Sequence, residues 1–167
     1  EDKTIIIYRE LYQKGLTGQA LASTITQMEE NEIKSITGVL DTAAWARTGY
    51  SGPTIGEILI QQGHKLRRAD KNRIAGKIQV HEHLRKSVAT SRPKLQIFNT
   101  CKNLIRELQS LPLSKTNPED VDTHASDHAY DALRYMLMSR PRLDHPYNRM
   151  LRIKTDIYKP ADTTFGY

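Results

Sequence analysis

The stretch Val121-Asp122-Thr123-His124-Ala125-Ser126-Asp127-His128-Ala129-Tyr130-Asp131-Ala132-Leu133-Arg134-Tyr135-Met136-Leu137-Met138 decides how the rest of the chain is read. At helical period His124, Asp127, His128 and Asp131 fall at i, i+3, i+4 and i+7, so four potential metal ligands share one face. Ala129, Ala132, Leu133, Met136 and Leu137 repeat those offsets and give the helix an apolar stripe to bury. Thr123 or Ser126 is positioned as an N-cap, and Pro141 ends the segment. Acids in a first turn also gain from the helix dipole, so a capped, acid-started surface helix explains part of the pattern. Two aspartates flanking a histidine are more than capping needs. From this segment alone both accounts stand.

Upstream, strand and helix signals alternate. Residues 4–11 are β-branched and apolar and predict a buried strand, turned by Lys14-Gly15. Thr17 is placed to cap a helix reaching about residue 31, with Leu21, Ile25 and Met28 on one side. Residues 36–40 form a second predicted strand that delivers Asp41 at its carboxyl end, the side on which open α/β sheets bind ligands. A loop with Trp45 and Tyr50 follows, both expected to pack beneath it rather than to stack on a base. Pro53 or Thr54 then starts a short helix stopped by Gly63. Residues 64–69 predict a third strand, and 70–86 a helix with Ile74, Ile78, His81 and Leu84 or Arg85 at helical offsets. On that helix His81 and His83 diverge, so they do not form a zinc site by themselves. Residues 94–98 predict a fourth strand, and Asn99 or Thr100 is placed to cap a helix carrying Leu104, Ile105 and Leu108. This alternation implies an α/β domain with a partly parallel sheet flanked by helices. If the last helix crosses the sheet near the end of the second strand, Asp41 and Asp127 converge.

The 167 residues fit one domain with a basic tail from residue 142 onward, and the net charge is +6. The positive charge is concentrated at Lys65, Arg67, Arg68, Lys71 and Arg73, and again at Arg140, Arg142, Arg149, Arg152, Lys154 and Lys159. Clustered bases beside clustered acids suit an enzyme acting on nucleic acid, although charge runs are more often plain solvated surface. The single cysteine, Cys101, rules out an internal disulfide and is expected to be a small packed side chain rather than a nucleophile. No run is long enough to span a membrane and no signal peptide opens the chain, so a non-membrane protein of a reducing compartment is expected. The start at Glu1-Asp2-Lys3, without an initiator methionine, suggests a piece of something longer.

No P-loop, G-x-G-x-x-G, G-x-S-x-G, H-E-x-x-H or Cys/His zinc spacing is present. What remains is aspartate-dominated ligation, which suits hard cations such as Mg²⁺ or Mn²⁺. Pairs of such ions are a usual means of hydrolysing a phosphodiester.

Several runs together resemble the nuclease domain of large terminase subunits, the DNA-packaging motors of tailed bacteriophages. They are Asp41 closing an apolar strand, Arg73-Ile74-Ala75-Gly76, Ile97-Phe98, Leu104-Ile105-Arg106-Glu107-Leu108, Pro118-Glu119-Asp120-Val121-Asp122 and Asp127-His128-Ala129-Tyr130-Asp131-Ala132-Leu133-Arg134-Tyr135. The likeness covers most of residues 4 to 141 in order, and the last run is its most specific part. It implies an RNase H-like fold of the resolvase and integrase type, a mixed sheet flanked by helices over residues 1–141, and a metal-dependent endonuclease that cuts concatemeric viral DNA. Asp41 matches the family's second acid and Asp127 the acid heading the final helix, with Asp131 one turn on as an auxiliary ligand and His128 as an outer donor. Two Mg²⁺ or Mn²⁺ ions are implied for the intact domain. So are double-stranded DNA, a portal protein and a small terminase subunit as partners, an ATPase domain on the same full-length chain, and the host cytoplasm as location. The family takes its first acid from an opening strand in a G-x-D-x-G-like run. This sequence has none, and its first strand resembles the family's second, so the domain is expected to lack its opening strand here.

For Asp41 the alternative is a turn-capping aspartate, and for Asp131 a bridge to Arg134. His124 and His128 are read as surface histidines before ligands, and Asp120 and Asp122 as loop polar groups. At the level of function, the alternative is a non-catalytic module that grips DNA or docks on a portal ring. A phosphohydrolase of small nucleotides ranks last, because no distant histidines match the Asp-His pair.

Overall fold

The computed structural model describes residues 4–32, 37–47, 52–88, 90–110 and 127–140. In chain order these form β1 (Ile5–Ile7), α1 (Gly18–Glu29), β2 (Thr37–Leu40), a 3-10 turn (Thr42–Trp45), α2 (Ile55–Gln61), β3 (Lys65–Arg68), α3 (Arg73–Leu84), β4 (Leu95–Ile97), α4 (Lys102–Ser110) and α5 (His128–Ser139). The four strands and five helices fall where the sequence predicts them, with shorter strands. Among the described residues no helix is long and apolar enough to cross a membrane.

The strands form two parallel pairs: β1 with β4, placing Ile5 opposite Leu95, and β2 with β3, placing Thr37 opposite Lys65. Parallel neighbours need a crossover, and the helices between the strands supply it. Local chemistry starts the first two helices. Thr17 accepts a hydrogen bond from the Ala20 N–H, and Thr54 forms a reciprocal capping box with Glu57. Gly63, at φ +94°, stops α2 in a conformation that side chains resist.

The core gathers Ile5 of β1, Val80 of α3, Leu95 of β4, Cys101, Leu104 of α4, and Tyr130, Leu133 and Leu137 of α5. Helix α5 packs against α3, α4 and β2, and so ties the two strand pairs together. Cys101 is fully buried with its thiol toward the Ile7 carbonyl, and burial pushes that thiol above its usual pKa. It is a packing group.

Long-range contacts decide three local features. First, Ile74, Ile78 and Leu84, at helical offsets on α3, are exposed, and Gly76, Val80 and His83 face the core. Gly76 explains the choice: a Cβ there would stand 2.2 Å from Arg134 Cγ, so only glycine lets α5 lie this close. Second, α4 is not capped by Asn99 or Thr100. The Glu10 carboxylate, from the segment after β1, accepts from the Asn103 N–H at 3.0 Å and the Leu104 N–H at 2.8 Å. Third, α5 begins at His128 with Asp127 in the N-cap position, so neither Thr123 nor Ser126 fills that role. Thr123, His124, Ser126, Asp120, Asp122, Tyr50 and the tail 142–167 lie outside the described residues.

Candidate functional site

Asp41 leaves the carboxyl end of β2, and its two oxygens do different work. Oδ1 accepts from the Ala43 N–H at 2.7 Å, so the turn-capping alternative is true of that oxygen. Lys71 Nζ lies 3.2 Å from the same atom. Oδ2 instead faces α5, 2.7 Å from the Tyr135 hydroxyl. Burial pushes the Asp41 carboxyl up, but the bonds from Ala43, Tyr135 and Lys71 outweigh it and hold the group below its ordinary value.

The Tyr135 hydroxyl also lies 3.2 Å from Asp131 Oδ2, so its one proton is offered to two carboxylates that are ninety residues apart in the chain. Burial first, then the bond to Asp41 and the charge of Asp131, raise the Tyr135 pKa and keep the phenol protonated. Asp131 Oδ1 receives Nε and Nη2 of Arg134 at 3.2 and 2.8 Å. The expected bridge one turn along the helix is therefore present. Arg134 is only 1% exposed, and its stem crosses Gly76. Asp131 is thereby held between α3 and β2.

Asp127 joins through Arg73, whose guanidinium lies 3.6 Å from Asp127 Oδ2 and 3.9 Å from Asp131 Oδ2. Burial first, then repulsion from Asp131, raises the Asp127 pKa against the pull of Arg73. A carboxylate at a helix start is normally stabilised in its charged form, so the rise shows that burial, with the Asp131 charge behind it, outweighs the helix terminus and Arg73.

The three sequence-predicted acids are thus linked in a chain, Asp41 to Asp131 through Tyr135 and Asp131 to Asp127 through Arg73. His128 is not part of it: the residue is exposed and lines a groove of about 460 Å³ with Leu11, Tyr12, Leu104 and Met136, which none of the three aspartates lines. His83 is buried with Nδ1 at 2.7 Å from the Gln79 carbonyl, and His81 is exposed, so the two do diverge.

No family model, curated protein or solved structure matches the chain.

Sequence reasoning missed the cations. Lys71 and Arg73 sit in the run expected to hold phosphates, yet both turn toward the aspartates. Arg67 donates to the Ser139 carbonyl at 3.1 Å, and Arg68 stacks over Trp45 at 5.1 Å. Trp45 packs face-on against Gly56 at the start of α2, in the packing role expected of it. The missed signal was position: Lys71 and Arg73 flank Asn72, the N-cap of α3, and the start of α3 lies beside α5.

Among the described residues no three His, Cys, Asp or Glu side chains form a group that could hold a metal. The carboxylates are spaced by what bridges them, the Tyr135 hydroxyl and the Arg73 guanidinium. Their donor chemistry still fits a hard divalent cation, because all three offer carboxylate oxygen.

Proposed function

We propose that this chain is the RNase H-like nuclease domain of a tailed-bacteriophage large terminase subunit, a Mg²⁺- or Mn²⁺-dependent endonuclease that cuts concatemeric double-stranded DNA during packaging. The observation that carries the reading is the meeting of Asp41, from a strand end, with Asp131 and Asp127, from the start of α5, around Tyr135 and Arg73. Capping alone gives no reason for acids ninety residues apart to share a hydroxyl. Asp41, Asp127 and Asp131 would hold the cations, whose chemistry is to activate a water and steady the leaving oxygen. Lys71 and Arg73 balance the carboxylates now, and a bound cation would release them toward the phosphate. Tyr135 orients the Asp41 and Asp131 oxygens. Binding would draw on the basic residues of β3 and the tail, with DNA, portal protein, small terminase subunit and a linked ATPase domain as partners in the host cytoplasm.

The test is nicking of supercoiled plasmid in Mn²⁺. Activity lost in both Asp41→Ala and Asp127→Ala supports the reading; cleavage indifferent to both removes these residues from catalysis. DNA affinity should also fall steeply with salt, and a flat profile takes the basic segments out of the interface.

One observation favours a second reading, a non-catalytic DNA-gripping or portal-docking module. Lys71, Arg73 and Arg134 already match the three aspartates charge for charge. On that reading calorimetry finds no Mn²⁺ binding, and Asp41→Ala lowers stability without altering DNA affinity.

A further inference from the structure

Asp127 occupies the N-cap position of α5, yet its side chain makes no capping hydrogen bond. An N-cap aspartate ordinarily turns back to accept from the N–H of the second or third helical residue, here Ala129 or Tyr130. Both donors are already taken. Glu107, reaching across from α4, accepts the Ala129 N–H at 2.8 Å and the Tyr130 N–H at 2.9 Å through Oε2. Its other oxygen accepts from the Tyr12 hydroxyl at 3.0 Å, with Arg106 Nη2 at 3.9 Å. Glu107 is 1% exposed, so this carboxylate is buried only to serve these partners. It is too far along the chain to be a local cap, twenty-two residues from Ala129.

We propose that Glu107 is a positioning residue for the site: by capping α5 from another helix it denies Asp127 its own helix terminus and leaves that carboxylate turned toward Arg73 and Asp131. The role rests on the proposed metal reading only in its consequence, since the placement of Asp127 can be observed without a metal. Tyr12 is part of the device, because its hydroxyl holds the second Glu107 oxygen and sets the angle of the first.

The experiment is to determine the structures of the full chain carrying Glu107→Ala and Glu107→Gln, and to titrate both with Mn²⁺ by calorimetry. In Glu107→Ala the Asp127 carboxylate is expected to swing onto the vacated Ala129 and Tyr130 N–H groups and leave Arg73. Glu107→Gln keeps an acceptor in place and should leave Asp127 where it is. Mn²⁺ affinity should fall about tenfold or more in the alanine variant and recover in the glutamine variant. Should Glu107→Ala not fold, Glu107→Asp, which draws the oxygens back by one methylene, is read in the same way. Asp127 staying against Arg73 while water fills the cap, with Mn²⁺ affinity unchanged, overturns the proposal. A swing of Asp127 in a protein that binds no Mn²⁺ upholds the positioning role and retires the metal reading, so the two fail separately.

Discussion

The amino termini of α4 and α5 are capped by the same device, and only one of them lacked a cap of its own. At α4 the preceding residue is Cys101, a poor acceptor, and Glu10 supplies the missing oxygens to the Asn103 and Leu104 N–H groups. At α5 the preceding residue is Asp127, among the best caps available, and Glu107 takes the Ala129 and Tyr130 N–H groups instead. The first arrangement repairs a helix end. The second displaces a local solution so that a carboxylate is spent elsewhere, the pattern expected where local preference yields to a site.

Breaking both caps should show the difference most strongly. Glu107→Ala is expected to cost about 2–4 kcal/mol in urea unfolding, because it removes a buried charged acceptor and leaves a cavity that Asp127 does not fill when it takes over the two N–H groups. Glu10→Ala should cost about 0.5–2 kcal/mol, the ordinary loss of a cap, and leave Mn²⁺ affinity untouched. Equal losses of affinity in the two variants would mean that the caps matter only for folding.

Next in size is the contact that holds α5 against α3. Gly76→Ala drives a methyl into the Arg134 stem and should destabilise by about 1–3 kcal/mol, measured by thermal unfolding. The shift reaches Asp131 through its Arg134 bond, so Mn²⁺ affinity should fall with it. Glu10→Ala supplies the control that loses stability alone.

The third test uses acid. Burial raises the Glu10 pKa, but the bonds from Asn103 and Leu104 outweigh it and leave the group below its ordinary value. Its contribution is therefore present above the unfolded pKa and lost as pH falls through the folded one. Glu10→Gln should flatten that acid limb, and an unchanged limb would mean the cap is not charge-assisted.

The smallest effect has the opposite sign. The Asp127 pKa is raised by burial and by Asp131, so the folded state is favoured below the unfolded pKa and penalised as pH rises through the folded one. Asp127→Asn should then melt slightly higher than wild type at neutral pH and equal to it in acid. A lower neutral melting temperature would show that the pairing with Arg73 outweighs the crowding. Stability gained by removing an acid is the usual mark of a residue kept for something other than folding.

Much of the fold was legible because its determinants are local. Thr17 and the Thr54–Glu57 box sit within three residues of the N–H groups they satisfy, and Gly15 and Gly63 mark the turns with positive φ. Asp41 at a strand end and Asp127 and Asp131 at the start of the last helix were legible for the same reason. The buried face of α3 was not. Ile74 and Ile78 look like the core stripe by hydrophobicity, but Gly76 and Val80 face α5 because a glycine is what the Arg134 stem can cross.

The sequence by itself determined the order of strands and helices and put Asp41 at a strand end and Asp127 and Asp131 at a helix start, since spacing and capping act over a few residues. Only the tertiary structure decided which oxygens those acids offer and to whom. Lys71 reaches Asp41 across thirty residues, Tyr135 reaches it across ninety-four, and Glu107 frees Asp127 by capping donors more than twenty residues away. Partners so distant leave no periodicity in the chain, because contacts across the core are set by how helices and strands pack, not by the distance between residues along the sequence.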